Sequence, residues 1–352
     1  MLINRFNGRL DLVSAEIWSK ITQIDELKGQ WTGGANFAPQ VLGRLKKSVL
    51  VTSTGASTRI EGARLSDEDI EKLMRGLSTQ KFTDRDKQEV QGYYELLEKI
   101  FDSWEHIPLS EGSIKHLHKE LLKYAEKDKL HRGDYKKIEN KVEMIDARGK
   151  SIGILFDTTL AYLTPKEMQE LVEWTQNAFT EKKYHPLLII GNFIVEFLAI
   201  HPFQDGNGRL SRILTNLLLL KNGYLFIPYV SHEKLIEHNK ADYYVSLRKS
   251  QKTFKTKYEV IAPWLNFFLN TLLAQAKEAI GLFAKENIEK ILSAKQLSVW
   301  QYLQTVDEAA PFEIEKNTQV ARPTINQALT KLLRLNKIER IGLGRSTRYR
   351  RS

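Results

Sequence analysis

The chain has 352 residues, 42% of them hydrophobic and 27% charged, and a net charge of +10; this length allows two or three domains, and the composition is that of an ordinary globular protein. Cysteine is absent, which excludes a disulfide framework and a thiolate zinc site. No apolar run approaches the roughly eighteen residues of a membrane span, and the opening M-L-I-N-R-F-N-G-R-L-D-L lacks the apolar core of a signal peptide, so a soluble, cytoplasmic protein is expected.

The first amphipathic pattern places Ile17, Ile21, Ile24, Leu27 and Trp31 on one helix face. The stretch from Trp31 to Pro39, with Gly33 and Gly34, is expected to break it. A second helix is expected from Gln40 into Val51, then a polar stretch that includes Ser57, Glu61 and Gly62. Ser66 followed by Asp67, Glu68 and Asp69 reads as a capped helix start. Two more helical patterns fill 85–127, separated around Pro108. The segment Leu130–Asp157 alternates apolar residues about Ala147-Arg148-Gly149-Lys150 and reads as a short, imperfect hairpin. Thr164-Pro165 signals a helix start with threonine as cap. An apolar helix from Pro186 to Ile200 is followed by another carrying Leu210, Ile213, Leu214, Leu217 and Leu218. A helical pair is expected at 259–292.

From Leu297 the character changes. Three helices are expected, near Leu297–Thr305, Phe312–Thr318 and Arg322–Leu335, the last with Ile325, Leu329, Leu332 and Leu333 as its inner face. Ile338–Arg350 then suits a two-stranded wing. Lys331, Arg334, Lys337, Arg340, Arg345, Arg348, Arg350 and Arg351 crowd this end, with Glu339 as the one acid after Lys331. That concentration points to an acidic partner. With Thr324, Asn326 and Gln327 early on the third helix, this is the pattern of a winged helix, serving DNA contact or protein contact.

Between the two apolar helices lies H-P-F-Q-D-G-N-G-R-L-S-R, residues 201–212. His201 is a natural general base, because imidazole titrates near neutrality. Asp205 suits either a hard cation or a helix cap. Gly206, Asn207 and Gly208 expose backbone amides at the start of a helix, an arrangement that binds anions. Arg209 and Arg212, three apart, share a face and can both reach phosphate oxygens.

This segment resembles the H-P-F-x-D-G-N-G-R-x-x-R signature of Fic-domain proteins, and all nine fixed positions match. The similarity extends from about residue 50 to 270. It implies an all-α fold, a Fic-type helical bundle with a small β-hairpin flap, here joined to a C-terminal winged helix. The corresponding domains would be an N-terminal helical region (1–110), a catalytic core (111–285) and the winged helix (290–352). The activity implied is transfer of AMP from ATP to a Ser, Thr or Tyr hydroxyl of a target protein. By resemblance His201 takes the hydroxyl proton and Asp205 holds Mg²⁺. Gly206, Asn207 and Gly208 shape the anion hole, Arg209 meets the α- and β-phosphates, and Arg212 meets the outermost phosphate. Tyr243 and Tyr244 resemble a position near the adenine, although core packing accounts for them equally well. The hairpin at 138–156 would align the target peptide along its edge.

Ser57-x-x-x-Glu61-Gly62 resembles the family's inhibitory motif, with Glu61 paired to Arg212 in place of the terminal phosphate. The i,i+4 spacing puts Ser57 and Glu61 on one helix face, and the resemblance implies the subclass with an N-terminal built-in inhibitory helix. Two alternatives stand beside it: removal of AMP or transfer of another nucleotide or phosphate group by the same site, and a DNA-binding regulator whose Fic-like domain senses nucleotide. A second copy of the chain is a further expected partner.

Overall fold

The computed structural model describes residues 3–11, 13–34, 39–76, 85–145, 151–335, 337–342 and 347–351. Their contacts divide the chain into two units, 1–280 and 281–352. The fold is mainly helical. The first unit contains α1 (Ile3–Leu10), α2 (Ala15–Gly34), α3 (Pro39–Ile60), α4 (Asp67–Gly76), α5 (Arg85–Ser103) and α6 (Glu111–Leu121). After these come β1 (Lys141–Ile145) and β2 (Ser151–Asp157), then α7 (Thr164–Glu181), α8 (Pro186–Ile200), α9 (Asn207–Lys221), α10 (His232–His238), α11 (Lys240–Gln251) and α12 (Ala262–Ile291), of which the residues from Gly281 on belong to the second unit. None of the described helices is long and apolar enough to cross a membrane.

The centre of this unit is α8 and α9. From Leu187 to Phe197 and from Leu210 to Leu220 every residue is buried, as expected of the largely apolar α8, whereas α9 also buries Ser211, Arg212, Thr215 and Asn216. The neighbouring helices therefore pack around this pair, and the chain between the two is fixed at both ends.

The polar stretch after Val51 is not a break. α3 runs unbroken for 22 residues to Ile60, and Ser53, Thr54, Ser57 and Thr58 are fully buried. Three of these four hydroxyls, those of Ser53, Ser57 and Thr58, find partners that leave the helix intact. Thr58 donates back to the Thr54 carbonyl at 2.9 Å, and Ser53 donates to Ser231 at 2.8 Å. Ser66 caps α4, accepting the Asp69 N–H at 3.1 Å. α2 continues through Trp31 to Gly34. Thr164 is not a cap but the first residue of α7, its hydroxyl turned back to the Leu160 carbonyl at 3.1 Å. The pair expected at 259–292 is one helix, α12, of 30 residues; no proline interrupts it after Pro263.

The hairpin is present. β1 and β2 pair antiparallel with register shifts between Val142 and Glu143 and between Met144 and Ile145; its expected turn, 147–150, lies outside the described residues.

α1 was not visible in the sequence pattern, and its role is electrostatic. Arg9, with a fully buried side chain, pairs with Glu196 at 2.7 Å and donates to Glu259 at 2.5 Å and to Asn192 at 3.1 Å. Arg5 adds contacts of 2.6 Å to Glu196 and 3.3 Å to Glu259. Arg9 also stacks over Phe254 at 3.8 Å. Asn192 and Glu196 lie on α8, so this cluster pins α1 to the helix that delivers His201.

In the second unit α13 (Ala294–Leu303), β3 (Glu308–Ala309), α14 (Pro311–Thr318), α15 (Arg322–Arg334), β4 (Ile338–Ile341) and β5 (Arg348–Arg351) enclose their own core. Val299, Leu303, Ile314, Ile325, Leu329, Leu332 and Ile338 are its buried centre. The sheet order is β3-β5-β4. β3 is a two-residue strand that no sequence pattern signals.

Arg9→Met would leave the buried Glu196 with only part of its compensation, and an uncompensated buried charge costs about 3 kcal/mol. The expected result is a lower urea midpoint at unchanged slope, recovered in part by the additional change Glu196→Gln.

Candidate active site

Residues 200–212 carry the chain from α8 into α9 through a tight turn. His201 closes α8 in the left-handed region, φ +53°, its N–H bonded to the Phe197 carbonyl at 2.9 Å. Few side chains accept that conformation. Its Nδ1 lies 3.2 Å from the Leu198 carbonyl. A carbonyl only accepts, so Nδ1 carries the proton and Nε2 carries the ring's basic lone pair. Burial pushes the imidazole down to about 4, and the charge of Lys136 acts in the same direction. The ring is neutral at pH 7, the form a base requires.

Asn207 staples the turn. Its Oδ1 accepts the Phe203 N–H at 2.9 Å and its Nδ2 donates to the Phe203 carbonyl at 2.7 Å. The side chain thus shapes the loop, and the ligand-facing groups left are backbone amides. Gly206, at φ +80°, precedes α9 with no side-chain cap. The first N–H groups of α9 therefore remain for an anion.

Glu61 reaches that place. A methyl on Gly208 would fall 2.2 Å from Glu61 Oε1 and 3.4 Å from Arg212 Nη1. The Glu61 carboxylate thus covers the first turn of α9, and only a glycine leaves it room. Arg212, 2% exposed, donates from Nε to Ser57 Oγ at 2.7 Å and from Nη2 to the Ser57 carbonyl at 2.9 Å and to Glu61 Oε1 at 2.8 Å. Among the described residues its Nη1 is buried without a hydrogen-bond partner. Burial works against the guanidinium charge, yet Glu61 keeps it above the usual range. Ser57 lies in the last turn of α3, and Glu61 and Gly62 follow directly.

Asp205 belongs to a closed ring of alternating charge. Its Oδ1 accepts from Arg209 at 3.1 Å and from the Gly206 N–H at 2.5 Å, and its Oδ2 accepts from Arg85 at 2.8 Å. Arg209 reaches Glu89 at 2.6 Å, and Arg85 closes the ring on Glu89 at 2.7 Å. Burial opposes the charge of Asp205, but Arg209, Gly206 and Arg85 hold the carboxyl below its usual range. Arg85 and Glu89 were missed in the sequence; their one signal was an i,i+4 charge pair at the start of a helix.

His118 is a second unforeseen member. It stacks on Phe203 at 3.8 Å between ring centres. Its Nδ1 accepts the Gly133 N–H at 2.8 Å, so Nε2 carries the proton donated to the Asp205 carbonyl at 2.9 Å. Burial pushes it down to about 4 as well.

The two tyrosines part company. Tyr243 is buried among Trp264 and Phe267, with ring centres at 5.9 and 5.6 Å. Tyr244 is half-buried and meets Tyr243 edge-on at 5.1 Å. Burial raises its hydroxyl, and the Glu61 charge adds to the rise.

Among the described residues no group of three or more His, Cys, Asp or Glu could hold a metal ion. Asp205 is a single hard oxygen donor beside the N-terminus of α9, which has no side-chain cap. It therefore fits a cation whose other ligands come from a bound phosphate and water, the habit of Mg²⁺.

Comparison with known proteins bears on family and fold. Residues 108–219 match the Fic/DOC family. An Aquifex aeolicus (strain VF5) protein named "Probable protein adenylyltransferase" is 26% identical over 244 residues, covering 68% of this chain and 69% of its own length. The "Protein adenylyltransferase Fic" of Aedes aegypti is 42% identical over 60 residues, 17% of this chain and 11% of its own. The crystal structure of a Fic family protein from Desulfovibrio desulfuricans G20 superposes with a TM-score of 0.63 at 23% identity, covering 97% of both chains.

His118 and His201, together with His232, which burial also pushes down, set a pH dependence. In the unfolded chain a histidine binds its proton near 6.5, whereas His118 and His201 do so at about 4 in the fold. The unfolded state therefore holds more protons between those values, and stability falls as pH drops through that window. For His118 and His201 together the contribution to the stability slope should grow from about one proton at pH 6.5 to nearly two at pH 5, His232 adding in the same direction, and His118→Gln should remove about half of the contribution of that pair. Urea titrations across that range would measure it.

Proposed function

Because the chain is a Fic-domain protein, we propose that it is an autoinhibited protein adenylyltransferase, moving AMP from ATP to a Ser, Thr or Tyr hydroxyl of a target protein. One observation carries the proposal: a neutral imidazole stands beside a helix N-terminus and two buried guanidiniums, and a carboxylate already sits where an anion would bind.

In this mechanism the target hydroxyl attacks the α-phosphorus, His201 Nε2 accepts its proton, and the bond to pyrophosphate breaks as the new ester forms. The amides of Asn207 and Gly208 and the side chains of Arg209 and Arg212 bind the phosphates and spread the developing charge. The orphaned Nη1 of Arg212 supports this assignment, since a buried donor without a partner is suited to a phosphate oxygen. Asp205 would hold Mg²⁺, which supplies charge neutralisation on the phosphates when bound. Tyr244, at the rim, is the better placed of the two tyrosines to face a base; Tyr243 belongs to the core.

Glu61 is the brake. A carboxylate over the first turn of α9 repels a terminal phosphate and engages the arginine that would receive it. The same carboxylate, one-third exposed at 34%, could orient a water toward a phosphorus, which favours removal of AMP as the second reading.

For the second unit we propose a winged helix that contacts DNA through α15. α14, a turn with Gln319 at φ +53°, and α15 form a helix-turn-helix. α15 carries no carboxylate and exposes Asn326, Gln327, Thr330 and Arg334. Amide side chains of this kind read adenine edges. In the wing, Arg348 pairs with Glu308 and Glu313, and Arg350 with Glu339. The helix is thus the stronger candidate for base contact.

Glu61→Gly is expected to raise AMP incorporation, read by intact mass after incubation with ATP and Mg²⁺, by about ten-fold or more, and adding His201→Ala to lower it about 10²-fold or more. An unchanged rate in Glu61→Gly with ATP still bound would remove the brake. Duplex DNA should bind the full chain with an affinity that falls steeply with salt, and Arg334→Glu should weaken it about ten-fold. Salt-indifferent or absent binding in fluorescence anisotropy would assign α15 to a protein partner.

A further inference from the structure

Both feet of the β1–β2 hairpin end on one buried ammonium. Lys136 is 4% exposed. Its Nζ donates to Asn140 Oδ1 at 2.8 Å, Thr158 Oγ1 at 2.9 Å and the Ile200 carbonyl at 3.0 Å. Asn140 immediately precedes β1, Thr158 immediately follows β2, and Ile200 is the last residue of α8, next to His201. The two feet are also bonded to each other, Thr158 Oγ1 donating to the Asn140 carbonyl at 2.8 Å.

The backbone joins the same knot. The Lys136 N–H donates to the Pro202 carbonyl at 2.8 Å. Asn140 Nδ2 donates to the Phe203 carbonyl at 2.8 Å and lies 3.4 Å from the His201 carbonyl. The hairpin feet and residues 200–203 therefore share one set of hydrogen bonds, with His201 at its centre.

The chemistry of the knot is unusual. All three acceptors of the ammonium are neutral. Burial pushes it down to about 8, and the nearest carboxylates, Glu139 and Glu167, oppose that only through space. A buried charge without a contacting counter-ion is costly. What Lys136 provides in return is three donors on one atom, able to hold three separate chain segments at fixed separation. An apolar side chain could fill the volume but could not hold the segments.

We propose that Lys136 is a positioning residue that sets the hairpin edge relative to His201, and with it the approach of an acceptor hydroxyl to the base. This rests on the nucleotidyl-transfer reading given above. It differs from a general packing role, because the three acceptors lie on three separate segments that this one ammonium ties together.

The test uses the full chain carrying Glu61→Gly, with Lys136→Met, Lys136→Arg or Thr158→Val added. Hydrogen exchange by mass spectrometry follows 141–145 and 151–157 against α8 and α9. Mant-ATP anisotropy follows nucleotide binding, and intact mass follows AMP incorporation. Lys136→Met should speed exchange in both strands by about ten-fold or more while α8 and α9 stay protected. AMP incorporation should fall by a similar factor, with mant-ATP affinity within about two-fold. Lys136→Arg should restore both, and Thr158→Val should loosen β2 more than β1. Unchanged strand exchange in Lys136→Met and Thr158→Val would overturn the proposal, as would equal loosening of α8 and α9. Should Lys136→Met fail to fold, Thr158→Val decides. If Glu61→Gly alone transfers no AMP, the nucleotidyl-transfer reading fails, while strand exchange still decides whether Lys136 holds the hairpin.

Discussion

A guanidinium taken almost wholly out of water has to be answered by oxygen atoms, and at Arg212 that requirement organises the first unit. Two of its three answering groups come from Ser57 and one from Glu61. α3 therefore has to remain helical through a run of serines and threonines that by itself favours turns. It must also lie close enough to α9 for a backbone carbonyl to serve as an acceptor. The burial of α3 at this end and the covering of the α9 N-terminus by Glu61 both follow from satisfying one charge. Among the described residues one nitrogen of that charge has no hydrogen-bond partner, which suits the proposed role of taking up a further oxygen.

Around this pair the polar groups are arranged by division of labour. Asn207 spends both ends of its amide on the turn, so the loop keeps its shape without borrowing the amides of α9. Arg209 and Asp205 are held by Glu89 and Arg85, which fixes their forks in place. His118 and His201 carry their protons on opposite nitrogens because one ring faces an N–H and the other a carbonyl at Nδ1. Each choice follows from a single neighbouring backbone group.

Much of this was legible in the sequence, and the exceptions have physical causes. The apolar helices α8 and α9 and the turn between them were readable because periodicity and glycines report local structure. The Ser57–Glu61 spacing was readable as a motif on one helix face, but the continuity of that helix with the one from Gln40 was not, since the buried hydroxyls of Ser53 and Ser57 are reconciled with helix by partners distant in the chain. α1 escaped because two arginines and one phenylalanine make sense only once Glu196 and Glu259 lie beneath them. Arg85, Glu89, His118 and Lys136 escaped for the same reason: each is an ordinary surface-type residue locally and acquires its role from tertiary neighbours. In the second unit the helices were signalled by their inner faces, whereas β3 is too short to leave a pattern, and the pairing of Arg348 and Arg350 with acids required the sheet.

The length of α3 has a mechanical meaning. Its 22 residues span about 33 Å at 1.5 Å per residue, and Glu61 sits just past one end. A rod of that length converts small angles into large displacements. A tilt of about 5° around the Pro39 end sweeps the other end by about 3 Å, which is as long as the hydrogen bond between Glu61 and Arg212 itself. Anything that grips the chain near Pro39 therefore works with the full lever arm on a contact that breaks within one bond length.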